Sequence, residues 1–268
     1  MPFSARLGSL LVILFLIACL VGPYLAPYGQ AEIVGDVWEP MFGRFLLGTD
    51  NLGRDILSRL AFGARTTLLV ALAATLISFF TGVLGGFLAA VCGGWLDQAL
   101  SRLVDLLMSL PTLIFALVLL SVLPDSLIVL ILVMALLDST RVYRIGRALA
   151  VDIVAMDFVE IAQLRGEGNL WIVLREILPN SWTPLVAEFG LRFSFAILFL
   201  SSLSFLGLGI QPPDADWGGM VRENKEGIPF GVAAALVPAS AIALLTISVN
   251  MVVDWVLEKT SSLKGGAG

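Results

Sequence analysis

Charge-free apolar runs recur along the chain. Segments 7–25, 66–96 and 106–124 are uninterrupted, 126–140 is broken by Asp138, 185–210 carries Glu188 and Arg192 near its start, and 228–253 is clean. At roughly 20 apolar residues per crossing, this pattern predicts six membrane-spanning helices. In the second run Gly82, Gly86 and Ala90, with Ala89 and Gly93 beside them, recur at four-residue spacing. Such a stripe lets a neighbouring helix approach the backbone closely. The longest polar stretch, 141–183, reads differently. Leu149, Ile153, Met156, Val159 or Glu160, and Ala162 recur near helical spacing, and Arg165-Gly166-Glu167-Gly168-Asn169 makes a turn. Residues 170–178 then read as a second helix ended by Pro179. This helix, turn and helix either caps the bundle or docks a soluble partner.

Composition agrees with the pattern. The 268 residues are 58% hydrophobic and 14% charged, where a soluble domain carries about 25% charge, so a water-soluble globule is excluded. With 16 basic against 21 acidic residues there is no concentrated basic face for nucleic acid. Histidine is absent, and Cys19 and Cys92 each lie in an apolar run. No His/Cys metal cluster, disulfide framework or histidine-assisted nucleophile can be built from these residues. Arg6, the short apolar stretch after it and Leu16-Ile17-Ala18-Cys19 also fit a lipoprotein signal peptide, but the apolar run continues through Val21, and an uncleaved first crossing is the plainer reading. Arg102, Arg141, Arg144, Arg147, Arg165, Arg175 and the basic residues of both chain ends fall on one side, which is cytoplasmic if both termini are inside.

Charges near the crossings are the candidate working groups. Asp50, Arg54 and Asp55 alternate in sign within a helical turn or two. They either staple a loop by local ion pairs or form a gate or a dock for an extracytoplasmic protein. Trp217 follows a Pro212-Pro213 turn and reads as an interfacial anchor or as a further member of that gate. Glu188 and Arg192, four apart with the acid first, can pair along one helix face, and Asp138 has Arg141 or Arg144 as neighbours. A proton relay in a carrier acting alone is the alternative use of these three intramembrane charges.

Three segments carry a family resemblance. EIAQLRGEGNLWIVLREILPN (160–180) resembles the cytoplasmic coupling motif of permease subunits of ATP-binding-cassette importers, with Ile161 in place of the usual second alanine. LLGTDNLGRDILSRLAFGARTTL (46–68) and SLSFLGLGIQPPDADWGGM (202–220) are similar to the dipeptide, oligopeptide and nickel branch of that family. Similarity spans about 46–254. One departure is Asp138-Ser139-Thr140-Arg141, where that branch commonly has a tryptophan. The resemblance implies an all-α, six-helix permease of the type I importer fold in the bacterial inner membrane, with both termini inside. It implies half of a translocation pathway for di- or oligopeptides, with nickel, glutathione or oligosaccharide as the branch's other cargoes. The implied partners are a second homologous permease, two ATPase subunits carrying ATP and Mg, an extracytoplasmic binding protein and membrane lipid. Glu160, Ala162, Gly166, Glu167 and Gly168 are the implied ATPase-coupling residues.

Elementary chemistry fits that division of labour. A phosphate-binding loop needs G-x-x-x-x-G-K and then Ser or Thr, and none of Lys225, Lys259 and Lys264 stands in that frame. ATP chemistry therefore belongs to another polypeptide, and the chain itself is not expected to be an enzyme or to hold a cofactor or metal. The resulting organisation is a first helix in 1–30, an extracytoplasmic loop in 31–65, a core in 66–258 containing the coupling loop 141–183, and a tail from 259.

Overall fold

A computed structural model describes residues 2–265, and every regular element in them is helical. The only extended pairings among these residues are isolated bridges, Ile33 with Arg54 and Thr49 with Asp55. Helix α1 (Phe3–Leu25) packs on α10 (Leu236–Gly265) and α2 (Ile56–Cys92). Two glycines of α1 allow close approach, Gly8 lying against Met251 and Ser248 and Gly22 against Ala61. Cys19 is buried within this helix.

Helix α2 has 37 residues, about 55 Å at 1.5 Å per residue, against a hydrocarbon core of roughly 30 Å. It starts ten residues before the apolar run expected at 66, because Asp55 caps it, accepting from the Ser58 amide (2.8 Å) and hydroxyl (2.6 Å). Its small-residue stripe meets α5 (Leu127–Val154), the partner with which it makes its main interface. A Cβ on Gly86 would sit 2.6 Å from both the Tyr143 carbonyl oxygen and the Arg147 amide nitrogen, so the two backbones touch there.

The third crossing differs from expectation. In place of one helix over 106–124 there are α3 (Gly94–Met108) and α4 (Thr112–Val122), bent by 87°. Pro111 has no N–H to donate and disfavours helical geometry at Leu110, so the rod breaks there. At 11 residues α4 is about 16 Å long and cannot cross the core alone. Helix α3 is tied instead to the far part of α5, where Arg147 donates to both carboxylate oxygens of Asp97 (2.5 and 2.6 Å) and Arg144 to Asp105 (2.6 Å).

Those ties also explain why α5 runs past its expected end at 140. Arg141, Arg144 and Arg147 belong to a helix of 28 residues, and the projecting stretch begins at 155 rather than 141. There α6 (Asp157–Leu164) and α7 (Asn169–Ile172) form a short hairpin. Pro179 does not stop the second helix. A π-turn over Val173–Ile177 widens the ladder ahead of it, Pro179 sits in the first turn of α8 (Leu178–Leu206), and the rod continues. Helix α9 (Trp217–Asn224) and two short 3₁₀ turns lead into α10.

Among the described residues four helical stretches are long and apolar enough to cross a membrane, namely 3–25, 56–92, 169–206 and 233–259, and the bent α3–α4 pair would make a fifth. Helix α5 is long enough but carries four charges from Asp138 to Arg147. The tail expected from 259 continues as helix to Gly265, and 266–268 lie outside the described residues.

Candidate functional site

One end of the bundle is closed by segment 26–55 and α9. The turn 50–55 is not helical, and its charges are held by near neighbours and, for Arg54, also by Glu223, distant in sequence. Asp50 accepts from the backbone amides of Leu52 (2.8 Å) and Arg54 (2.9 Å), from Arg54 Nε (2.6 Å), and from Arg59 Nη1. Glu223 on α9 completes a quartet, accepting from Arg54 Nη2 (2.7 Å) and Arg59 Nη1 (2.6 Å). Asp50 is 1% exposed. Burial pushes its carboxyl up, but the Arg54 and Leu52 amides and the Arg59 and Arg54 charges outweigh that and hold it below the usual carboxylate range. Next to the quartet, Asn224 accepts from the Asn51 amide (2.9 Å) and Trp38 Nε1 (3.3 Å).

Trp217 is not an interfacial anchor. It is 1% exposed, donates from Nε1 to the Leu60 carbonyl (3.1 Å), and packs edge-on against Phe15 at 5.7 Å. Asp216 before it is also buried and caps α9 through the Gly219 amide (3.1 Å). Burial pushes its carboxyl up to about 6, aided by the Glu223 charge and opposed by the Gly219 and Gly218 amides and the Ser204 hydroxyl. Stability from this group is therefore fullest below about 4 and is lost as pH rises through about 6. Asp216→Asn keeps a capping oxygen, so thermal unfolding of the variant between pH 4 and 7 is expected to lack this downward component. A variant whose melting temperature follows the parent's through that window would show that Asp216 is not its source.

The opposite end carries the α6–α7 hairpin. Gly166 at φ +82° ends α6, its amide donating to Gln163 O (2.9 Å) while the Glu167 amide donates to Ala162 O (3.2 Å). This paired closure needs a left-handed residue, which glycine adopts without strain. Ala162 and Val159 are fully buried against Ile172, Val173 and Ile177, whereas Glu160, Gly166 and Gly168 face outward and Glu167 is half-buried. Leu164 (81%) and Ile161 (56%) are exposed at the hairpin's tip. The hairpin is fastened to the end of α2 by Asn169 Nδ2, which donates to Cys92 Sγ (3.2 Å).

Between these ends, Asp138 pairs with Arg192 on α8 (3.4 Å) rather than with Arg141 or Arg144, and accepts from Ser78 Oγ on α2 (3.0 Å). Arg192 Nε also lies 2.7 Å from Glu188 Oε1, a contact out of line for a hydrogen bond. Among the described residues no group of three or more His, Cys, Asp or Glu is placed to hold a metal.

Residues 82–261, which include α5, the hairpin, α9 and most of α10, match the family described as binding-protein-dependent transport system inner membrane component. The chain belongs to this family. As a member it is a multi-pass bacterial inner-membrane protein and a permease subunit of an ATP-binding-cassette importer. Permeases of this kind work with ATPase and binding-protein partners. Similar relatives include the di/tripeptide transport system permease protein of Pseudomonas aeruginosa, 36% identical over 259 residues, covering 94% of this chain and 86% of the relative. The dipeptide transport system permease protein of Haemophilus influenzae is 30% identical over 258 residues, covering 94% and 88%. The glutathione transport system permease protein of an Escherichia coli strain is 33% identical over 253 residues, covering 93% and 83%.

Arg59, Glu223 and Asn224 were not singled out by charge alternation. Arg59 stands inside the segment that resembles peptide-type permeases, and Glu223 and Asn224 follow directly on the second such segment. The resemblance was thus the available signal, since nothing local links residues 164 apart.

Proposed function

We propose that this permease forms half of the translocation pathway for short peptides, crossing the membrane six times with both termini in the cytoplasm. In this reading α5 is one crossing and the bent α3–α4 pair another, and the hairpin end is cytoplasmic. A second, homologous permease completes the pathway, and two ATPase subunits holding ATP and Mg dock on the two hairpins. A binding protein delivers cargo to the end closed by α9. The observation that carries the docking is the hairpin's division of faces. Val159 and Ala162 are fully buried inward, while Leu164 and Ile161 stand outward with large apolar side chains that the described residues leave mostly uncovered. Soluble surfaces that expose such patches are interaction sites. Peptide as cargo rests on the relatives' names.

Glu160, Ala162, Gly166, Glu167 and Gly168 act here as shape and force transmission, with no bond made or broken by them. Asp50, Arg54, Asp55 and Trp217 are too buried to be the dock itself. They hold the outer segment in the form presented to the binding protein.

Leu164→Asp and Ile161→Asp test the docking half of this proposal. Purified from its native membrane, the tagged parent chain is expected to bring an ATPase with it, and Leu164→Asp to lose at least about 90% of it with little change in melting temperature. Full retention of the ATPase in both variants would reject the hairpin as the dock. A chain that purifies alone, drives uptake without ATP and fails on Glu188→Gln would instead favour a proton-coupled carrier.

A further inference from the structure

A cavity of about 300 Å³ opens between α2, α4, α5 and α8, with Thr75, Thr112, Asp138, Arg141, Phe195 and Ser202 among its walls. Its volume lies at the lower end of those that hold small ligands. Its charges are unevenly satisfied. Of the four arginines on the facing parts of α5 and α8, Arg144 pairs with Asp105, Arg147 with Asp97, and Arg192 with both Asp138 and Glu188. Arg141 alone of the four has no carboxylate within ion-pair distance among the described residues. Its guanidinium donates to the Thr112 hydroxyl at 3.2 Å and lies 5.9 Å from the Phe195 ring centre.

An arginine beside a cavity at membrane depth is costly without an anion, and a hydroxyl and a ring face offset only part of that cost. Guanidinium matches carboxylate through paired N–H donors, which a hydroxyl acceptor does not use fully. A carboxylate lines the same cavity three residues earlier on α5, one helical turn from Arg141. Asp138 and Glu188 share the one Arg192, leaving an excess negative charge beside Asp138. A cation outside ion-pair distance of any described carboxylate and an excess anion, one helical turn apart on the wall of one small cavity, suit a ligand with a carboxylate and an ammonium group.

We propose that Arg141 is the contact in the translocation pathway for the terminal carboxylate of a passing peptide, with Asp138 receiving its ammonium group. This rests on the peptide-importer reading above and adds to it a place and a chemistry of recognition within the permease, independent of what the binding protein selects.

The test uses the whole transporter with its ATPases in proteoliposomes, with the binding protein present for the uptake measurements and left out of the labelling. Ser202→Cys, introduced beside Cys19→Ala and Cys92→Ser, gives a thiol at the cavity wall whose maleimide labelling reports occupancy. Dialanine is expected to slow this labelling, and its C-terminal amide to require about tenfold or more higher concentration for the same protection. Adding Arg141→Gln is expected to abolish the difference between acid and amide, and Arg141→Lys to keep part of it. Equal protection by acid and amide in the parent overturns the proposal, as does undiminished preference for the acid in Arg141→Gln. If Arg141→Gln does not assemble with the ATPase, the parent comparison and Arg141→Lys decide. No protection by dialanine, with ATP-driven dialanine uptake intact, rejects the proposal alone. Absence of ATP-driven uptake rejects the peptide-importer reading and this proposal with it.

Discussion

Asp50→Ala is expected to cost about 3–5 kcal/mol of stability, the range for removing one partner from a buried ion pair. The residue accepts from two guanidinium groups and two backbone amides at once, while being almost inaccessible to water. Its loss leaves Arg54 and Arg59 with only Glu223 between them, in surroundings that hydrate neither. Unfolding in detergent followed by tryptophan fluorescence measures the effect. Removing the surplus charge as well, in Asp50→Ala/Arg59→Ala, is expected to return part of the loss, because the penalty lies in the unpaired cation more than in the missing attraction. Glu32→Ala supplies the contrast. Its carboxylate accepts from Gly29 in the same loop but is exposed, and the change is expected within about 0.5 kcal/mol. A loss below about 1 kcal/mol for Asp50→Ala would mean that water reaches the quartet.

Gly86→Val and Gly85→Ala are neighbouring changes expected to have opposite signs. A side chain on Gly86 meets the α5 backbone at 2.6 Å, and neither a carbonyl nor an amide of a packed helix can step aside as a flexible side chain would. Overpacking of this kind costs about 3 kcal/mol or more when only backbone can yield. At Gly85 the nearest atom is Tyr143 Cδ2 at 3.6 Å, an ordinary contact, so alanine gains up to about 1 kcal/mol from its better helix propensity. Thermal unfolding of the pair of variants reads both signs. A Gly86→Val chain as stable as the parent would show that the α2 and α5 backbones do not touch at this position.

What the chain pattern revealed and what it concealed divide by the range of the interaction. The stripe of Gly82 and Gly86 announced a close helix approach, and Gly166 announced a turn, because both signals lie within a few residues. The α3–α4 break was hidden inside an apolar run with no charge to mark it, and Pro111 was its one sign. Arg144 and Arg147 read as loop residues because their carboxylates, Asp105 and Asp97, stand on a different helix. For the same reason the sequence pattern points Asp138 to its neighbours on α5, whereas its partner is Arg192 on α8. At the candidate sites the individual residues stood out in the three quoted segments, but their assembly did not. Asp50 and Arg54 were visible as a pair, whereas the roles of Arg59 and Glu223 depend on a meeting that no local pattern encodes.

The quartet also imposes an order on biogenesis. Glu223 emerges from the ribosome 164 residues after Arg59, and Asn224 emerges 173 after Asn51. At roughly 5–20 residues per second this is an interval of about ten to thirty seconds. During it Asp50, Arg54 and Arg59 are already made while the carboxylate that joins both arginines is not. The quartet is therefore among the last contacts to form, and a chain stopped anywhere before α9 carries Arg54 and Arg59 without the acceptor that Glu223 gives them both.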